Sequence, residues 1–381
     1  MSESDIIEKM RTVSPDKAFG GLVRGLRQKR PMFVWGPPGI GKSELITQIA
    51  DSGRLGKKVL VIDLRLALMD PTDLRGYPFR DPNTNTMMWA PAAELPTEDQ
   101  AKKYDLIILF LDELNSAAPN VQAAAYQLVL NRRIGLYKLP DNVAVCGAGN
   151  RESDRGVVYR MPAPLANRFV HMEMRADYDS WVVWAIDNRI HPDVVSYVTQ
   201  FKADLFHWDP KQSDRAFPTP RSWKYVSDFV WDDEANTSDV DELRMMVAGS
   251  VNEGIAGKFM KHREMTGKLP NPSDVLSGKV DKLVDKELSI QYAIGVSLVY
   301  ELLDVNQTKQ EKKVGDNDVL AMLDNFFGFI NINFSPEIAA MVVSRYLVGI
   351  GDGVDTRIHS LPAFTVFFKK YGKLMTLAHN L

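Results

Sequence analysis

Gly36-Pro37-Pro38-Gly39-Ile40-Gly41-Lys42-Ser43 follows the β-rich run Pro31–Trp35 (PMFVW) and leads into a helical stretch, Lys42–Ala50. The eight residues fit the phosphate-binding pattern G-x-x-x-x-G-K-[ST] in full. Nucleotide phosphates need several backbone N–H groups pointing inward, and glycines let the chain turn tightly enough to supply them. A helix that begins at this point aims its positive end at the same phosphates. In this pattern Lys42 reaches the β- and γ-phosphates, and Ser43 holds Mg²⁺. An idle Gly-Pro turn does not account for strand, glycines, Lys and Ser standing in register.

Working outward, Val59–Asp63 (VLVID), Leu106–Leu111 and Ala144–Ala148 are further apolar runs of strand length. Asn120–Leu130, rich in Ala, Gln and Leu, reads as a helix between the last two. Apolar strands interleaved with helices mean a parallel sheet covered on both faces. Leu106–Glu113 (LIILFLDE) ends in two carboxylates. Asp112 emerges at the strand's carboxyl end, where ligands sit in open α/β sheets, and can hold Mg²⁺ through water. Glu113 can polarise the attacking water as general base. Strand ends often carry solvated acids, so the pair gains meaning from the glycine-rich loop before it. Val143–Asn150 (VAVCGAGN) is another strand that ends in an amide. Asn150 is either a turn-forming residue or a group that orients water or the γ-phosphate; its order after the other two motifs favours the second.

These motifs, followed by Leu165-Ala166-Asn167-Arg168-Phe169 and Pro218-Thr219-Pro220-Arg221, resemble the AAA+ superfamily, and within it the MoxR-like branch that includes the CbbQ/NorQ activators and the cobaltochelatase AAA+ subunit. The resemblance covers roughly residues 15–235. It implies that Lys42 and Ser43 belong to Walker A, Asp112 and Glu113 to Walker B, and Asn150 to sensor 1. Arg168 resembles the arginine finger that reaches a neighbouring subunit's ATP. Arg221, opening a helix of the lid, resembles sensor 2. Asp70–Pro78 resembles the branch's motif leading into an insert. Tyr77–Pro96 and Arg132–Pro140 occupy the places of its insert and its hairpin before sensor 1.

The expected fold is an α/β P-loop AAA+ core with a parallel five-stranded sheet, followed by an α-helical lid and a helical C-terminal extension. The expected boundaries are 1–174 for the core, 175–260 for the lid and 261–381 for the extension, whose role is open. The helical stretches read from the pattern are Asp179–Asn188, His191–Phe201, Arg221–Trp231, Glu242–Lys261, Ile290–Leu303, Asp316–Phe327, Pro336–Leu347 and Ala363–Leu377.

The resemblance implies hydrolysis of ATP to ADP and phosphate, with ATP and Mg²⁺ as cofactors. It also implies a ring of identical subunits, a hexamer, that remodels a protein client, with a von Willebrand A domain protein as first choice. Three other roles stay open: a McrB-like or helicase-like nucleic-acid motor, a nucleotide-gated binding module in which ATP only switches assembly, and the AAA+ subunit of a metal chelatase. A net charge of −3 over 381 residues gives no global pull toward nucleic acid. One cysteine, Cys146, excludes an intramolecular disulfide. The six histidines show no metal-ligand spacing. The N-terminus lacks an apolar signal core and no run approaches the ~20 apolar residues of a spanning helix, so the chain reads as soluble and cytoplasmic. Several readings have two sides. Arg132, Arg133, Arg151, Arg155 and Arg160 either contact a neighbour's phosphates or form surface ion pairs. Trp89 either binds a partner or packs the insert.

Overall fold

The computed structural model describes residues 12–151, 154, 159–208, 215–236, 239–266, 269–307, 316–350 and 356–378. They form two compact units, one up to Asp177 and one from Tyr178 onward, with Trp208 grouped with the first.

The first unit is built on a parallel sheet. Its strands are β1 (Thr12–Val13), β2 (Met32–Trp35), β3 (Val59–Arg65), β6 (Leu106–Asp112), β9 (Val143–Gly149) and β10 (Val170–Met174). The spatial order is β1-β10-β2-β9-β6-β3, and every pairing is parallel. Six strands replace the expected five. The sixth, β1, is two residues at the sheet edge and pairs Thr12 with Glu173 and Val13 with Met174. So short an edge strand has no alternation to read.

Six residues of β6, Leu106–Leu111, are buried, because helices cover both faces of the sheet. Each such side chain contributes roughly 1.5–3 kcal/mol by leaving water. Helix α1 (Pro15–Arg27) covers part of one face. Ser14 accepts a bond from Lys17 N at its start, and Ala18, Leu22 and Leu26, spaced four apart, turn inward.

Register places the functional loops together. Trp35 lies opposite Gly149, Leu111 opposite Gly147, and Asp112 opposite Arg65. The loops that leave β2, β6 and β9 therefore emerge at one end of the sheet.

The Pro/Asn-rich stretch is an antiparallel hairpin of β4 (Tyr77–Arg80) and β5 (Met87–Ala90). Asn85 turns its tip at φ 55. The second hairpin pairs β7 (Arg133–Ile134) with β8 (Tyr137–Lys138) around Gly135.

The second unit is helical. Its buried side chains, from Trp181 to Tyr371, form one hydrophobic cluster. The stretch read as one helix, Glu242–Lys261, is two: Val240–Val251 and Glu253–Thr266. Asn252 breaks it. Its backbone takes φ 83, which ends the first helix, and its Oδ1 accepts from Ile255 N at 3.0 Å, which starts the second. We predict that Asn252→Ala destabilises this unit by about 1–3 kcal/mol, through the lost cap and the strained φ. Asn252→Gly, which relieves the φ, is predicted to cost less. Urea unfolding followed by helical circular dichroism compares the two; equal losses would assign the cost to the cap alone.

The unit's longest helix, Leu288–Gln307, contains an 18-residue window of mean hydropathy 1.3 that was not singled out in the sequence. That window is 67% buried inside the protein, as suits a core helix. One histidine gathers carboxylates despite its spacing: His191, Asp193 and Glu234 offer atoms within 4.8 Å of one another. His191 Nδ1 accepts from Asp193 N (3.1 Å) and Nε2 faces Glu234 (3.1 Å). Arg263 fills the cation's place beside Asp193 at 3.4 Å. The group is a helix cap within an ion network.

Candidate nucleotide site

The loop after β2 is shaped by its glycines. A Cβ on Gly36 would stand 2.6 Å from Ile40 Cδ1 and 2.7 Å from the Met174 carbonyl. Gly39 and Gly41 take φ of 76° and 91°, which other residues adopt only at a cost. Gly41 is the N-cap of the helix Lys42–Asp51 and offers no side-chain cap. The first N–H groups of that helix therefore point out of its end toward the loop. Gly36 N donates to Gly149 O at 3.2 Å and ties the loop to the end of β9.

Four of the residues singled out in the sequence meet here in two pairs. Lys42 Nζ donates to Asn150 Oδ1 (2.9 Å) and to the carbonyls of Gly36 (2.7 Å) and Pro37 (2.9 Å). Ser43 Oγ donates to Asp112 Oδ2 at 2.8 Å. The hydroxyl and carboxylate are hard oxygen donors within one coordination radius, which fits Mg²⁺. The fit extends to the triphosphate, since the open helix start supplies N–H donors and Lys42, held by the Gly36 and Pro37 carbonyls, supplies the cation.

Glu113 follows at φ 54, ψ 31, a left-handed conformation rare for residues other than Gly, Asn and Asp. Such backbone strain clusters at working sites. Here it swings the exposed Glu113 carboxylate clear of the strand line, while Asp112 Oδ1 accepts from Glu113 N at 2.9 Å.

The structure adds Asp63, two residues before the end of β3, which the sequence showed only as a strand end. Its carboxyl titrates above the usual range. Partial burial is the largest cause, then the Asp112 carboxylate; Arg65 opposes the shift and Glu113 adds to it. Three carboxylates at one end of the sheet are the electrostatic setting in which a divalent cation is favoured.

The arginines divide. Arg151 pairs with the buried Asp154 (2.9 Å) and with Glu173 (3.3 Å). Arg132 donates to the Pro140 (2.8 Å) and Val143 (2.9 Å) carbonyls and closes the second hairpin. Arg133 and Arg160 are exposed. Arg155 lies outside the described residues. Arg168 follows the short helix Ala163–Ala166 and is exposed. Among the described residues its side chain makes no ion pair. Arg221 is exposed in the first turn of the helix Pro220–Asn236 in the second unit. Thr219 and Ser222 start that helix with reciprocal bonds of 3.0 and 2.7 Å.

Trp89 is half-buried, with the Arg75 guanidinium 4.6 Å from its ring centre. Tyr77, Phe79 and Met87 of the same hairpin are 65, 48 and 67% exposed.

Residues 32–175 match the family described as "ATPase family associated with various cellular activities (AAA)". Midasin of Giardia intestinalis is 30% identical over 193 residues, 47% of this chain, and the chain spans 4% of midasin's length. Among solved structures, RuvB of Thermotoga maritima is 17% identical with a TM-score of 0.35, covering 81% of this chain and 80% of its own. NtrX of Brucella abortus is 12% identical with a TM-score of 0.38, covering 83% and 70%. The segment that carries every loop of the nucleotide site is the segment that matches this family of ATPases.

Proposed function

We propose that this chain is a MoxR-like AAA+ subunit that works in a ring, a hexamer, and couples ATP hydrolysis to remodelling a protein client. The reading is carried by the pairing of Lys42 with Asn150 and of Ser43 with Asp112 at one end of the sheet. Lys42 and the loop amides bind the triphosphate. Ser43 and Asp112 would hold Mg²⁺, which would supply charge neutralisation to the phosphates. Glu113 accepts a proton from the attacking water, and Asn150 orients that water or the γ-phosphate. Phosphoryl transfer places negative charge on the departing and equatorial oxygens, and a second cation stabilises it. Arg151 is committed to Asp154 and Glu173, whereas Arg168 is free to act on the ATP of a neighbouring copy. The lid, 175–260, supplies Arg221 as sensor 2. Residues 261–381 extend it.

The exposed Tyr77, Phe79 and Met87 favour a protein client, a von Willebrand A domain protein being the first to test. We predict that Tyr77→Ser/Phe79→Ser/Met87→Ser leaves basal ATPase activity within about twofold and removes stimulation by the client. The client is first captured on the Glu113→Gln protein loaded with ATP. Retained stimulation in the triple variant would show that the hairpin is not the contact. Stimulation by DNA in place of protein would reverse the choice of client.

A further inference from the structure

Asn115 lies in the turn just after Glu113, and its side chain is 1% exposed. Its Nδ2 donates to the backbone carbonyl of Asn150 at 2.7 Å. Its own carbonyl accepts from Tyr159 N at 2.7 Å. Its Oδ1 is buried with no partner. Burying an amide whose oxygen goes unpaired is costly, so a native core retains one only where its other half has a use. Among the described residues the one bond of its side-chain amide goes to the residue whose side chain accepts from Lys42.

The neighbouring backbone is cut to fit this amide. A Cβ on Gly149 would stand 2.8 Å from Asn115 Cγ and closer still to Oδ1. A glycine just before Asn150 is what lets the amide reach the Asn150 carbonyl. The Asn115 bond is therefore a bridge across the sheet end. It joins the strained turn that carries Glu113, at φ 54, to the end of β9 that carries Asn150.

We propose that Asn115 is a positioning residue for hydrolysis, which fixes the Asn150 backbone relative to Glu113 so that both side chains face one water. The proposal rests on the reading of Glu113 and Asn150 as the hydrolytic pair. Asn115 touches neither nucleotide nor water; it acts through the placement of Asn150. Misplacing a group by about 1 Å can cost on the order of 100-fold in rate.

The test is a double-mutant cycle on the full chain, with phosphate release for kcat and a fluorescent-nucleotide titration for Kd. Asn115→Ala is expected to lower kcat ~10–100-fold and to change the ATP Kd less than about threefold. Gly149→Ala keeps Asn115 but pushes its amide off the Asn150 carbonyl, and is expected to give the same split. If Asn115→Ala does not fold, Gly149→Ala carries the comparison. On an Asn150→Ala background, where no side chain remains to be aimed, Asn115→Ala is expected to add less than about twofold. A purely structural role would make the two losses multiply, and that result overturns the proposal. Wild-type turnover in both Asn115→Ala and Gly149→Ala overturns it too. Wild-type turnover in Asn150→Ala alone overturns the underlying reading of Asn150, and the present inference with it.

Discussion

Glu113→Gln is expected to bind ATP normally and turn it over ~10²–10⁴-fold more slowly, while Lys42→Ala is expected to lose ATP binding altogether. The two variants separate what the site brings together. Lys42 is the cation of the cradle, held over the loop by the Gly36 and Pro37 carbonyls and by Asn150. Removing it leaves phosphates facing those three acceptors. Glu113 stands outside the cradle, exposed and turned away from the strand line, so its amide variant keeps the binding surface and lacks only the base. Fluorescent-nucleotide titration and phosphate release read the two functions. Tight binding by Lys42→Ala, or full turnover by Glu113→Gln, contradicts this division.

Arg168→Ala is expected to lower kcat by ~10³–10⁵ with little change in ATP affinity. The side chain is exposed and without an ion pair among the described residues, as a group must be if it is to enter another subunit's site. A fixed guanidinium stabilises charge that develops only in the transition state, so the loss falls on rate and spares ground-state binding. Mixing distinguishes this from a local defect. An Arg168→Ala subunit keeps its own cradle, and a Lys42→Ala subunit keeps its finger. Neither is active alone, and mixed rings regain activity wherever an intact cradle meets an intact finger. Mixtures that co-assemble by native mass spectrometry and stay inactive would exclude Arg168, and Arg160 would be next.

The sequence showed the cradle because its chemistry is local. Gly36, Gly39, Gly41, Lys42 and Ser43 sit within eight residues, and each constraint acts on the chain nearby. It showed β6 for the same reason, since Leu106–Leu111 is apolar without interruption. Asp63 and Asn115 escaped notice because their roles are set across strands. Asp63 reaches the site only through the β3–β6 pairing, and Asn115 matters only because β9 ends beside its turn. The five-strand expectation missed β1, two residues held in place by β10. The fused helix over 242–261 hid its break because an Asn in an amphipathic stretch reads as a polar surface position. It takes the φ of 83 and the bond to Ile255 N to show that Asn252 ends one helix and starts another. Arg151 read either as a contact to a neighbour's phosphates or as a surface ion pair; only the fold reveals the buried Asp154 that claims it.

We propose that the site at the carboxyl ends of β2, β6 and β9 hydrolyses ATP repeatedly, in place of holding it as a switch. Steady-state phosphate release by the purified wild-type chain, with ATP and Mg²⁺ in excess, tests it most directly. Many phosphates per chain are expected, at a rate that rises with protein concentration as rings assemble and that Glu113→Gln abolishes. Release that stops at or below one phosphate per chain at every protein concentration, with ADP retained, would contradict it.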